Sequence, residues 1–231
     1  MKEKRTLSIT FIISIMILIV IGIAMMFSVS FTSGLHEYRN YYYFIIRQLI
    51  WITAGGFFMI VASRINYKRY KKIRGLFFIG GLALLVLVLI IGKEVNGAKR
   101  WLVLGPIVIQ PSEVAKIAFI IYLSGALEYY KDKKYKSLEI LIAAVVPLFI
   151  FIVLIFMEKS FSSAVILFVI GFSMIFVSKV KIEQLIVFFF GFMALGAFGI
   201  MHSEYRRRRI FNYLTGFNKD GNDVGYQARQ S

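Results

Sequence analysis

The sequence predicts an all-α, polytopic membrane protein of about seven transmembrane helices, and three observations carry that prediction. The 231 residues are 59% hydrophobic and only 17% charged, with a mean hydropathy of +0.75, a balance that a soluble globule does not reach. The apolar residues come in blocks long enough to cross a bilayer. The charged residues gather in short stretches between the blocks, dense in Lys and Arg at every second one, which is how a membrane protein records its orientation. The net charge of +16 is therefore read as topology, with membrane lipids and not nucleic acid as the expected partner. With no Cys, a disulfide framework, a thiolate metal site and a Cys nucleophile are excluded together. The two His, His36 and His202, lie too far apart in sequence to suggest a zinc-type pair, and no metal site is expected.

The first span, about residues 7–29, follows Lys2, Lys4 and Arg5 and is too long for the apolar region of a cleaved signal peptide. A polar, aromatic loop leads to the second span, 42–62, which contains Arg47. A basic loop with Arg64, Lys68, Arg69, Lys71, Lys72 and Arg74 separates it from the third, 75–91. The fourth, 112–130, ends at a second basic loop with Lys131, Lys133, Lys134 and Lys136. The fifth, 139–157, includes Pro147, tolerated where neighbouring helices re-satisfy the freed carbonyl. A tight polar link, residues 158–162, precedes the sixth, 163–177, and Lys179 and Lys181 precede the seventh, 183–201. The whole is read as one membrane domain, 1–231, with 92–111 as an extracellular loop and 202–231 as the start of a large extracellular loop.

Alternation places fifteen Lys and Arg in the stretches on the side of the N-terminus and five in the loops around Arg39, Lys93 to Arg100 and Lys159 on the other, so the N-terminus is expected inside. Residues 202–231 then break the rule, because Arg206 to Arg209 form an unbroken cationic run on the outer face. Three readings stay open: a late cluster tolerated once the topology is set, a site for anionic groups that guanidinium forks would grip, or a miscounted span that leaves this segment inside.

The chemistry concentrates in residues 96–116, NGAKRWLVLGPIVIQPSEVAK. Asn96-Gly97 and Gly105-Pro106 are turn signals. Lys99, Arg100 and Trp101 between them suit a segment at headgroup level, with Trp101 more an interfacial anchor than a ligand platform. Pro111 suits a helix start, Ser112 an N-cap, and Glu113 the first turn, where the positive end of the helix dipole favours an acid. Lys116 shares a helix face with Glu113 and can pair with it. Ionisable residues inside spans are costly and so become functional candidates, here Arg47 and Lys116, although Arg47 can snorkel and the Glu113–Lys116 pair can be purely structural. Gly55-Gly56 and Gly80-Gly81 are expected to permit close helix contacts instead of holding phosphates.

The runs Gly97-Ala98-Lys99-Arg100-Trp101 and Ile109-Gln110-Pro111-Ser112-Glu113 with Lys116 resemble the signature of the SEDS family, the FtsW, RodA and SpoVE type of cell-wall polymerases. Arg47-Gln48, Tyr205-Arg206-Arg207, Arg209-Ile210, Gly225-Tyr226-Gln227 and Gln230-Ser231 follow the family's order. The resemblance implies a ten-helix fold and a peptidoglycan glycosyltransferase that polymerises lipid II at the outer face of the cytoplasmic membrane, beside a class B penicillin-binding protein. It further implies that Arg100, Gln110, Ser112, Glu113 and Lys116 line or support a central cavity, with Arg47 as a second intramembrane cation and Arg206, Arg207 and Arg209 at the start of the large loop. No cofactor is identifiable, although the family allows a divalent cation.

Two departures qualify the resemblance. The family's Pro-Asp-x-Gly-Thr block reads Lys159-Ser160-Phe161-Ser162-Ser163, so the acidic position is Ser160. The family's essential aspartate, the proposed general base, falls after Ser231; Asp220 and Asp223 do not match it, so no catalytic residue is expected in these 231 residues. The chain is accordingly expected to be the N-terminal part of such an enzyme and inactive alone. Alternatives of other classes are a lipid II flippase or lipid-linked sugar transporter, and a non-catalytic scaffold of the cell-wall machinery.

Overall fold

The computed structural model describes residues 2–38, 42–95, 98–105, 107–132 and 135–201. Its contacts divide the chain into two compact units, residues 1–67 and 68–231.

The first unit is a pair of packed helices, α1 (Lys2–Tyr38) and α2 (Tyr43–Arg64). At 1.5 Å per residue α1 is about 55 Å long, more than the ~30 Å hydrocarbon core requires. Its described apolar side chains, and those of α2, are largely exposed, as lipid-facing surface is. Three of their hydroxyls bond their own backbone. Ser14 donates to the Thr10 carbonyl at 2.9 Å, Thr53 to Leu49 at 2.8 Å and Ser63 to Ile60 at 2.8 Å, each closing onto its own helix where no water is available.

The second unit contains the short basic helix α3 (Tyr67–Lys72), then α4 (Arg74–Ile91), strands β1 (Lys93–Val95), β2 (Ala98–Leu104) and β3 (Ile107–Ile109), and helices α5 (Pro111–Asp132), α6 (Ser137–Met157), α7 (Phe161–Phe176) and α8 (Ile182–Met201). Its core is built where α4, α5, α6 and α7 meet. Leu85, Phe119, Leu123, Leu148, Phe151, Ile155 and Leu167 are all fully buried there. Gly81 allows α4 to come this close: a Cβ at that position would lie 3.1 Å from the Ala118 Cβ and 3.1 Å from the Phe151 ring. Gly80, Gly55 and Gly56 have nothing comparable beside them, so the close-contact role holds for one glycine of the four.

Among the described residues five helices, α1, α2, α4, α6 and α8, are long and apolar enough to cross a membrane. α5 has the length but carries Glu113, Lys116, Glu128 and Asp132, and α7 has only 16 residues. Both nevertheless contribute buried faces to the core between their neighbours. The chain is a multi-pass, all-α membrane protein, and among the described residues a three-stranded sheet interrupts the helices between α4 and α5.

At the end of the unit away from that sheet the helices are tied by polar contacts. Arg74 donates to the Gly125 carbonyl and lies 5.4 Å from the Tyr129 ring centre, and Lys71 pairs with Glu128 at 3.1 Å. Ser137, at the start of α6, donates to Gln184 at 2.6 Å and accepts the Lys181 N–H at 2.8 Å, which fixes the link between α7 and α8.

Candidate functional site

Strands β1, β2 and β3 form an antiparallel sheet in that order, where the sequence suggested an extracellular loop. Leu104 pairs with Ile107, Val103 with Val108 and Leu102 with Ile109, and Gly105 takes φ +61°, a left-handed turn conformation that costs glycine nothing. On the other side Glu94 faces Lys99 and Val95 faces Ala98, with a register shift next to Lys93. Side chains alternate across a strand, so Ala98, Arg100 and Leu102 share one face of β2. Ala98 and Leu102 are buried and Arg100 is half-buried between them, whereas Trp101 and Val103 point out. The strand thus turns a guanidinium inward.

Arg100 is aimed at the corner between α6 and α7. Its Nε donates to the Glu158 carbonyl at 3.4 Å and its Nη2 to the Lys159 carbonyl. The last carbonyls of a helix lack intrahelical partners and carry the negative end of its dipole, so a cation is favoured there. The corner is a Schellman-type stop. The Lys159 N–H bonds the Phe156 carbonyl at 3.0 Å, the Ser160 N–H bonds Ile155 at 3.3 Å, and Lys159 takes the left-handed position with φ 60°, where glycine is usual.

Inside this corner lies the feature that sequence reasoning missed. Glu158 is fully buried, and among the described residues neither carboxylate oxygen has a hydrogen-bond partner. Burial pushes its carboxyl up from the usual 4.5 to about 8, opposed in part by the Arg100 guanidinium. Ser160 and Ser163 are also buried and bond each other at 2.9 Å. Position 160 therefore brings a hydroxyl to the corner, and the carboxyl stands two residues earlier. An acid directly after 21 helical residues was the available signal; hydropathy alone reads it as a span end.

The other expected site residues separate into groups. Helix α5 begins at Pro111, so Ser112 lies within the first turn and not at the cap; proline's fixed φ and missing N–H make it the better first residue. Ser112 is fully buried and accepts the Gln110 Nε2–H at 3.1 Å. Lys116 Nζ lies 2.9 Å from Glu113 Oε1, with the lysine side chain nearly buried and the glutamate mostly exposed. Sheet and helix pack together, so Arg100, Gln110, Ser112, Glu113 and Lys116 belong to one end of the second unit. Arg47 belongs to the first unit, one turn into α2, where it donates to the Tyr43 hydroxyl at 3.1 Å. Arg206, Arg207 and Arg209 lie outside the described residues.

Among the described residues no three His, Cys, Asp or Glu side chains come together. A groove of about 770 Å³ opens at the opposite end of the unit, lined by Ser124, Glu128, Ser173 and Lys179 among others. Its Ser124 and Ser173 hydroxyls are bonded to their own helices and Glu128 to Lys71, which leaves it little chemistry.

Comparison with known proteins gives a consistent picture. A family model described as a cell cycle protein, of the FtsW, RodA and SpoVE type, matches residues 8–231. The probable peptidoglycan glycosyltransferase FtsW of Thiomicrospira cyclica is 29% identical over 99% of this chain and 59% of its own length. That of Coxiella burnetii is 31% identical over 100% of this chain and 63% of its own. The chain thus spans less than two thirds of these relatives. Among solved structures, one of a peptidoglycan synthase complex that coordinates polymerization and crosslinking superposes with a TM-score of 0.68 at 24% identity, over 92% of this chain and 62% of that one. The rod shape determining protein RodA of Thermus thermophilus gives 0.57 at 23% identity, over 77% and 58%. Both similarities speak to the fold.

Proposed function

The chain belongs to the FtsW, RodA and SpoVE family of cell cycle proteins, and from that membership we propose that it serves a peptidoglycan glycosyltransferase that polymerises lipid II at the outer face of the cytoplasmic membrane. The observation that carries this reading is the family match over residues 8–231, joined to relatives that are themselves named probable peptidoglycan glycosyltransferases. The N-terminus is inside, and β1–β3, the start of α5 and the α6–α7 corner face outward, in keeping with the distribution of Lys and Arg.

In this reading an acceptor sugar hydroxyl attacks the anomeric carbon of a second lipid-linked sugar, and an undecaprenyl pyrophosphate leaves. Charge grows on the leaving phosphate, and fixed cations held away from bulk water stabilise it best. Arg100 supplies such a charge from β2, pre-oriented by the carbonyls of residues 158 and 159. Lys116, held by Glu113, supplies another from the first turns of α5. Gln110 and Ser112 fix that helix start. A class B penicillin-binding protein is the expected partner; the similarity to a peptidoglycan synthase complex supports that choice.

The test is polymerisation of purified lipid II, followed as glycan strands on a gel. It compares the 231-residue chain, and any longer product of its gene, each with and without a class B penicillin-binding protein. Strands that vanish with Lys116→Ala support the transferase. Movement of lipid II between leaflets without any strands would refute it in favour of transport.

A further inference from the structure

We propose that Glu158 is a positioning residue for Arg100: its carboxyl sets whether the guanidinium is gripped at the α6–α7 corner or keeps donors available for an anionic group at the sheet. The identity of that anion, a phosphate, rests on the transferase reading; the positioning does not.

Three observations converge on this corner. Glu158 is fully buried with neither oxygen bonded among the described residues, although a buried ionised carboxylate without partners is among the costliest arrangements a fold can hold. The guanidinium that could satisfy it is already adjacent, yet spends its donors on the backbone carbonyls of residues 158 and 159. The backbone between them is held in an unfavourable state, with Lys159 left-handed where glycine would be free.

A neutral carboxyl resolves the first two together, since an uncharged Glu158 needs no ion-pair partner and leaves Arg100 on the helix end. The high pKa, about 8, agrees with this. The charged group that acts on the carboxyl is Arg100 of β2, and the polar side chains that the α7 end brings to the corner, Ser160 and Ser163, are hydroxyls bonded to each other. On α5, Glu113 and Lys116 are engaged with one another. Among the described residues the cation that acts on Glu158 is Arg100, so ionisation draws on that guanidinium. Arg100 has five N–H donors and spends two on carbonyls, so a charged carboxylate would take up the others in a paired, charge-assisted contact.

The experiment reads Arg100 directly. The purified chain in detergent is treated with phenylglyoxal, and modification at Arg100 relative to Arg64 is measured by peptide mass spectrometry between pH 7 and pH 9. Taking the ratio removes the reagent's own pH dependence. In the native chain the ratio should fall about fivefold across that range, which carries the carboxyl from about one-tenth to about nine-tenths ionised, with each ionised carboxylate protecting Arg100 by roughly tenfold, the low end for a hydrogen bond to a charged group. In Glu158→Gln it should stay flat, and in Glu158→Asp, which keeps a titrating acid, the fall should return. A native ratio that does not change, a Gln variant with the native profile, or an Asp variant as flat as Gln would each overturn the proposal. No transfer reaction is involved, so a flat profile sinks the positioning role without touching the transferase reading, and missing glycan strands do the reverse.

Discussion

At the scale of single residues, the second unit places its ionisable groups by very different rules. Lys116 is nearly buried and paired, Glu113 is mostly exposed, and a pair of this kind at three-residue spacing contributes only about 0.2–0.5 kcal/mol. Glu158 has no such relief. Its pH dependence has a defined sign: the folded chain keeps the proton up to about pH 8, whereas the unfolded chain releases it near 4.5. Between those values the folded state binds more protons, so stability falls as pH rises through the window and levels off above it. The thermal midpoint in detergent should therefore drop from pH 5 to pH 8 in the native chain, and Glu158→Gln should remove that part of the slope; equal slopes would contradict the burial of this carboxyl. Arg100, Glu113 and Lys116 were legible in the sequence as charges beside or inside apolar runs. Glu158 was not, because its distinction is burial by β2 and the helix corner, which no local pattern records.

At the scale of elements, the helices were readable because bilayer-length apolar blocks leave few alternatives. The sheet was not, although the turn at Gly105 was. Gly105 and the β-branched run Ile107-Val108-Ile109 look equally like a headgroup-level loop until the strands pair. The cap of α5 was misjudged for a related reason: Ser112 is a good cap in isolation, but Pro111 before it is a better first helical residue, and burial of Ser112 completes the choice. The end of α6 offers a test of element stability. Lys159 is strained by its left-handed backbone, so Lys159→Gly should stabilise the chain by roughly 1 kcal/mol, seen as a higher thermal midpoint with Arg100 modification unchanged. A lower midpoint would mean that the lysine side chain contributes more than its backbone costs.

At the scale of the whole molecule, the proposed orientation rests on charge counting over loops, while the proposed chemistry rests on what those loops fold into. α5 and α7 would be poor spans alone, one for its charges and the other for its length, and they are carried by the apolar helices packed around them. In the proposed orientation the sheet and residues 202–231 share the outer face, opposite the basic loops. The chain has no Cys, so single cysteines report position without background. Val103→Cys on β2 and Asn218→Cys should react with a membrane-impermeant maleimide on intact spheroplasts, and Tyr135→Cys only after permeabilisation. Labelling of Val103→Cys and Asn218→Cys from opposite faces would contradict the account.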